Sequence, residues 1–134
     1  MTAKTKRMAY RATTGFAAIA LGAVGAAEVL RVPVIMDGLA HLGYPAYFAT
    51  ILGTWLLFGL AAIMAPGLSR VKEWAYAGMF FTLTGAALSH AASGDPFGKI
   101  LVPLVLLGAV VASWALRPAR RTLFAAGFAA PRAA

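Results

Sequence analysis

The carboxylates of this 134-residue sequence are Glu28, Asp37, Glu73 and Asp95, and its imidazoles are His41 and His90. Cysteine is absent, which excludes thiolate nucleophiles, dithiol relays and thiolate-bound metals. A metal site drawn from His41, His90 and a carboxylate lacks any HExxH-type spacing, and its ligands would come from separate elements, so no metal is expected. A bis-histidine haem needs imidazoles opposed inside a bundle, whereas His41 precedes the apolar run that follows it. Ser89 and His90 are neighbours on a helical stretch and point to different faces, which argues against a histidine-activated serine. Two readings of these residues remain. Glu28 and His90 form an interhelical polar contact that fixes register, or they anchor the polar end of a lipophilic ligand at a cavity mouth, with His41 and Asp95 close by.

The elements that must position these groups are membrane helices. Of all residues 61% are hydrophobic and 12% charged, against about half and about a quarter in soluble domains. A chain this short cannot hide so much apolar side chain from water. Four apolar runs, at about 12–30, 46–65, 74–92 and 100–116, each approach the roughly 17 to 25 residues that cross a bilayer as a helix. Pro33, Tyr44-Pro45, Pro66-Gly67, Gly94-Asp95-Pro96 and Arg117-Pro118 punctuate them. Long runs without alternation select helices over a barrel. The expected fold is an all-α, four-transmembrane-helix bundle: a basic segment over 1–11, a membrane domain over 12–117 and a basic tail over 118–134. The mixed stretch 32–42 reads as a short interfacial helix.

The formal charge of +8 sits in clusters beside the apolar runs, where anionic headgroups lie, so nucleic acid is not the expected partner. Lys4, Lys6, Arg7, Arg11, Arg70, Lys72, Arg117, Arg120, Arg121 and Arg132 fall on one side, and only Arg31 and Lys99 on the other. The positive-inside rule then places both termini in the cytoplasm. A basic start followed by an apolar run and Gly25-Ala26-Ala27 also fits a signal peptide, although the run is long for one. With both termini inside, both histidines and three of the four acids lie outside. Glu28 stands about 10 Å outward of the middle of its span, at 1.5 Å per residue, where a carboxylate is costly unless paired or protonated.

Membrane helices associate through small residues and occasional hydrogen bonds. Gly15, Ala18, Gly22 and Gly25 form one stripe of that kind, and Gly78, Thr82, Gly85 and Ser89 another. At the inner end Ser69 is suited to cap a helix, Glu73 to its first turns with Arg70 as its better-spaced partner, and Trp74 and Tyr76 to the headgroup belt. Tyr44 and Tyr47 serve the opposite interface.

Taken in order, His41-Leu42-Gly43-Tyr44-Pro45-Ala46-Tyr47, Lys72-Glu73-Trp74-Ala75-Tyr76-Ala77-Gly78, Ser89-His90 with Gly94-Asp95, and Leu116-Arg117-Pro118 resemble the DoxX-like family of small four-helix membrane proteins from about residue 30 to 117. The resemblance implies a bundle in a bacterial inner membrane. Wider DoxX relatives include a quinone-linked thiosulfate oxidoreductase subunit, and related folds include membrane chaperones. Without cysteine, no thiol chemistry carries over. The expected function is binding of a lipophilic molecule such as a quinone in association with a membrane redox system. The alternatives are an assembly or chaperone protein, working as an oligomer or with another membrane protein, and a small multidrug-type transporter. A transported substrate's carboxylate belongs near the midplane, which Glu28 is not.

Overall fold

The computed structural model describes residues 1–118. The part of the basic tail beyond them lies outside the described residues. Five α-helices and no strand occur among the described residues: α1 (Ala3–Val29), α2 (Pro33–His41), α3 (Ala46–Met64), α4 (Ser69–Ala92) and α5 (Phe97–Ala115). α1, α3 and α5 are each long and apolar enough to cross a membrane. α4 has 24 residues but carries Lys72, Glu73, Thr82, Thr84, Ser89 and His90, and does not reach the apolarity of the other three.

α1 packs against α3 and α5, and α4 packs against the same two, so α1 and α4 stand across a diagonal. Consecutive long helices run antiparallel. The core is Ala17 and Leu21 from α1, Leu56, Leu60 and Ile63 from α3, Tyr76, Met79 and Leu83 from α4, and Val110 from α5. Large apolar side chains also face outward, among them Trp55, Phe81, Trp74 and Leu88. Only lipid or another protein covers that much apolar surface.

Three helices stop in the same way. After α1, α2 and α4 the chain turns left-handed at Arg31 (φ 53°), Gly43 (φ 84°) and Gly94 (φ 71°). The next amide then returns to the helix: Val32 N–H to the Ala27 carbonyl, Tyr44 to Leu39 and Asp95 to His90, at 2.9, 2.9 and 3.0 Å. This is the Schellman end, which satisfies carbonyls that the helix leaves open. A proline follows each time, at Pro33, Pro45 and Pro96, and cannot continue a helix. The Leu-Gly-Tyr-Pro string is therefore a stop signal. At Arg31, which lacks glycine's freedom, the guanidinium donates to Thr50 Oγ1 at 3.3 Å.

α1, α4 and α5 outrun the apolar stretches at their N-termini. α1 begins at Ala3, with Thr2 Oγ1 accepting the Thr5 amide, so residues 3–11 are helical and continuous with the apolar run. Hydropathy marks where lipid contact starts, and basic residues do not end a helix. α4 begins at Ser69, but its cap position is Leu68, left-handed at φ 55°, and no side chain caps it. The expectation of Ser69 as cap is corrected, because Ser69 already lies in the first turn.

Candidate functional site

Polar side chains gather at the two ends of the bundle. At the end where α1 and α4 finish, Asp95 is the hub. Its place after Gly94 in the Schellman turn lays its carboxylate on the last turn of α4, where an apolar contact is usual. Asp95 Oδ2 stands 2.7 Å from His90 Nδ1, and Oδ1 stands 3.0 Å from His41 Nε2 and 3.1 Å from Lys99 Nζ. The side chain is 5% exposed, covered by its three partners rather than by the body of the bundle. The hydrogen bond from His90, with those from Lys99 and His41 adding to it, outweighs the desolvation and holds its pKa at about 2, below the usual 3.8. Asp95 is therefore ionised at neutral pH, and the facing imidazole nitrogens donate to it. The cluster ties α2, α4 and α5 together. Beside it Tyr44 and Ser89 share a hydrogen bond of 2.7 Å, so Ser89 and His90 face different partners.

Glu28 is not part of this cluster. It is 3% exposed, on the face of α1 turned to α3, and its Oε2 has no hydrogen-bond partner. The contact expected between Glu28 and His90 is not formed. His90 is turned onto Asp95, and α1 stands across the bundle from α4.

The other end is organised by Glu73 and Arg117. Arg117 Nη1 donates to Glu73 Oε1 at 2.6 Å, and the Trp114 indole donates to Oε2 at 2.9 Å. Arg117 also donates from Nε to the Trp114 carbonyl and lies over the rings of Tyr76 and Trp114, at 5.1 and 5.3 Å from their centroids. Burial raises the pKa of Glu73, but the bonds from Arg117 and Trp114 and the Arg117 charge together bring it below the ordinary value. The partner expected from helical spacing was Arg70, and the structure corrects it to Arg117. A planar guanidinium fixed by Trp114 is better organised than an exposed side chain in the first turn of α4. Deeper in, Tyr76 and Thr14 both bond Ser113 Oγ, at 2.9 and 2.6 Å, linking α1, α4 and α5. Lys72, 1% exposed, donates to the carbonyl of Ala65 where α3 ends.

The small-residue stripes differ in use. A Cβ on Gly25 would stand 3.2 Å from the Gly53 carbonyl oxygen and 3.2 Å from Leu56 Cβ, while one on Gly22 would meet only Leu60, at 3.6 Å. α1 and α3 thus approach closely at Gly25. The stripe expected as a seam on α4 meets no other described helix of the chain at Gly78 or Gly85. Nothing lies within 4 Å of a Cβ on either glycine, and α4 buries Lys72, Tyr76, Met79, Leu83 and Ala87 instead. Gly78 and Thr82 line an open apolar groove of about 300 Å³ between α3 and α4, with Trp55, Phe58 and Trp74. A second groove, of about 530 Å³, lies between α4 and α5. Its walls are Trp74, Tyr76, Phe80, Phe81 and Trp114, and Glu73 stands at one end.

Sequence reasoning singled out Glu73 and Tyr76 but passed over Thr14, Ser113 and Trp114 as members of one network. The available signal was the three-residue step from Trp114 to Arg117, which places both on one helix face at the end shared with Glu73. Neither the curated proteins nor the solved structures compared with this chain give a match. The family comparison does, over residues 12–113, a stretch that contains the α3–α4 groove and the Asp95 hub, and the α4–α5 groove and Glu73 hub except Trp114 and Arg117. The chain belongs to the DoxX-like family.

Proposed function

We propose that this protein crosses a bacterial inner membrane four times with both termini in the cytoplasm, and binds a lipophilic ring compound bearing hydroxyls, such as a quinol, between α4 and α5. The membrane reading is supported by three apolar helices and by connectivity. α4 joins the end of α3 to the start of α5 and packs against both, which supports its crossing with them. Thr84 bonds back to the Phe80 carbonyl at 2.9 Å, which lowers the cost of its hydroxyl in lipid. The distribution of basic residues supports the orientation.

The observation that carries the ligand reading is the aromatic groove ending on Glu73. Flat aromatic walls suit a planar ring, and the groove opens sideways to where lipid lies. Glu73 is an ionised acceptor, 23% exposed, with lone pairs beyond those used by Arg117 and Trp114. It suits a ligand head that donates a hydrogen bond, hence the reduced form of a quinone. Association with a membrane redox system follows from that ligand class. Of the three tryptophans only Trp114 lies in this groove alone, since Trp74 lines both grooves and Trp55 the other. In a Trp55→Phe, Trp74→Phe variant, a short-chain ubiquinol should quench Trp114 fluorescence saturably. If it does not, and mild extraction copurifies no quinone-type molecule, the ligand reading falls.

A second reading, a non-enzymatic assembly or structural protein acting with a second copy or another membrane protein, is favoured by one observation. Within the Asp95 cluster and within the Glu73 cluster the charged groups satisfy one another, and the two clusters clamp helices at opposite ends. A multidrug-type transporter is supported less, because Glu28 lies well outward of the middle of α1.

A further inference from the structure

We propose that a separate pocket, between the first turns of α1 and the end of α3, binds the phosphate headgroup of an anionic membrane lipid. The pocket measures about 520 Å³ and is lined by Arg7, Tyr10, Arg11, Thr14 and Gly15 of α1 together with Met64 and Pro118. Arg7 and Arg11 are four residues apart, so their guanidiniums share one face of α1 and reach the same space. Neither forms an ion pair with a described residue. Glu73, the carboxylate at this end of the bundle, is held by Arg117 and Trp114. Two unpaired guanidiniums in a concave site match the oxygens of a phosphate.

The opposite wall argues for a lipid rather than a free anion. Met64 is apolar, and at Gly15 nothing lies within 4 Å of where a Cβ would be. The pocket is thus open at Gly15, where the apolar turns of α1 begin. A phosphodiester with acyl chains fills both parts, whereas inorganic phosphate would leave the apolar wall bare. Basic pockets between helices on the cytoplasmic side are placed to hold such headgroups. This inference rests on the membrane-spanning reading but not on the quinol groove, which lies between α4 and α5.

The test uses the full chain in neutral detergent, with melting temperature and native mass spectrometry as readouts. Phosphatidylglycerol should raise the melting temperature saturably and remain bound as a discrete adduct, and phosphatidylcholine should do so far less. Arg7→Gln with Arg11→Gln should weaken that binding about thirty-fold, from about 1 kcal/mol per basic group. Lys4→Gln with Lys6→Gln removes the same charge from the same helix outside the pocket and should leave binding intact. Equal loss in the two double variants would show diffuse surface charge and overturn the proposal. So would equal stabilisation by inorganic phosphate, which would make the site a free-anion site, or no response of the wild type to phosphatidylglycerol.

Discussion

A Cβ placed on Gly53 would lie 2.5 Å from the carbonyl oxygen of Gly25 and 2.8 Å from Glu28 Cβ. The two glycines therefore set the separation of α1 and α3, and they do so one turn from the buried carboxylate of Glu28. Since the obstructing atom is backbone, no rotamer change relieves it. Membrane helices gain most where such contacts let backbones approach.

Gly53→Ala should accordingly destabilise the bundle, by about 1 to 3 kcal/mol for overpacking. Gly85→Ala meets open space and should be neutral or slightly stabilising, because alanine favours a helix by about 1 kcal/mol over glycine. Thermal unfolding in detergent reads both. Comparable losses at Gly53 and Gly85 would mean that α4 packs through its small-residue stripe after all.

Arg117 and Glu73 are joined across 44 positions of sequence, and neither is well placed to be satisfied by water alone. Removing one partner of a buried pair costs about 3–5 kcal/mol, and about half of that is expected for Arg117→Met because Glu73 is partly open to solvent. Glu73→Gln should cost less, and a double-mutant cycle should show coupling between them. Because the pKa of Glu73 is lowered by folding, the stabilisation is full above the ordinary carboxylate range and fades as pH falls below it. Additive single-variant effects would show that the pair contributes nothing.

What the sequence made legible follows from which signals are local. Helix ends at Pro33, Pro45 and Pro96 were readable because glycine and proline act within a few residues. Asp95 and His90 belong to one helix end and fell together for the same reason. Arg117 and Glu73 are far apart in sequence, and a rule based on helical spacing offered Arg70 instead. On α4 two faces compete, one of small residues through Gly78 and Gly85 and one of large residues through Tyr76, Met79 and Leu83. Within the described chain α4 packs through the face of large residues, and the small-residue face is left open. Gly53 follows Ala49 by four residues on the buried face of α3, a short small-residue step that was not singled out, and its role appears only when Gly25 is brought opposite.

The Asp95 cluster gives a pH dependence with a definite sign. Folding depresses the Asp95 pKa from 3.8 to about 2, so its stabilisation is complete above about pH 4 and disappears as pH falls through about 2. Asp95→Asn should lower the melting temperature at pH 6 and make progressively less difference as pH is lowered through that window. A difference unchanged at pH 2 would show that the carboxylate's charge is not what the cluster uses.

Single cysteines test the orientation, since the chain has none of its own. An impermeant thiol reagent applied to intact cells should label a cysteine at Gly38 or Ser93, both exposed in the structure, and spare one at Ser69. Labelling at Ser69 with protection at Ser93 would reverse the topology. Labelling at both would mean that α4 does not cross with its neighbours.

Glu28 supplies the last expectation, and it separates a structural carboxylate from one that is only tolerated. A buried polar group without a hydrogen bond is destabilising, and replacing it with one of similar shape that needs less solvation is neutral or better. Oε2 of Glu28 is in that position, while the aliphatic part of the side chain packs at Gly53. Glu28→Gln should thus leave the melting temperature unchanged or raise it, and Glu28→Leu, which keeps the packing stem and drops both polar atoms, should raise it further. Glu28→Ala should lower it, through the lost packing alone. If Gln and Leu both destabilise as much as Ala does, the carboxylate makes an interaction that this arrangement of helices lacks. Glu28 would then have to be counted among the groups that hold a ligand or a second protein.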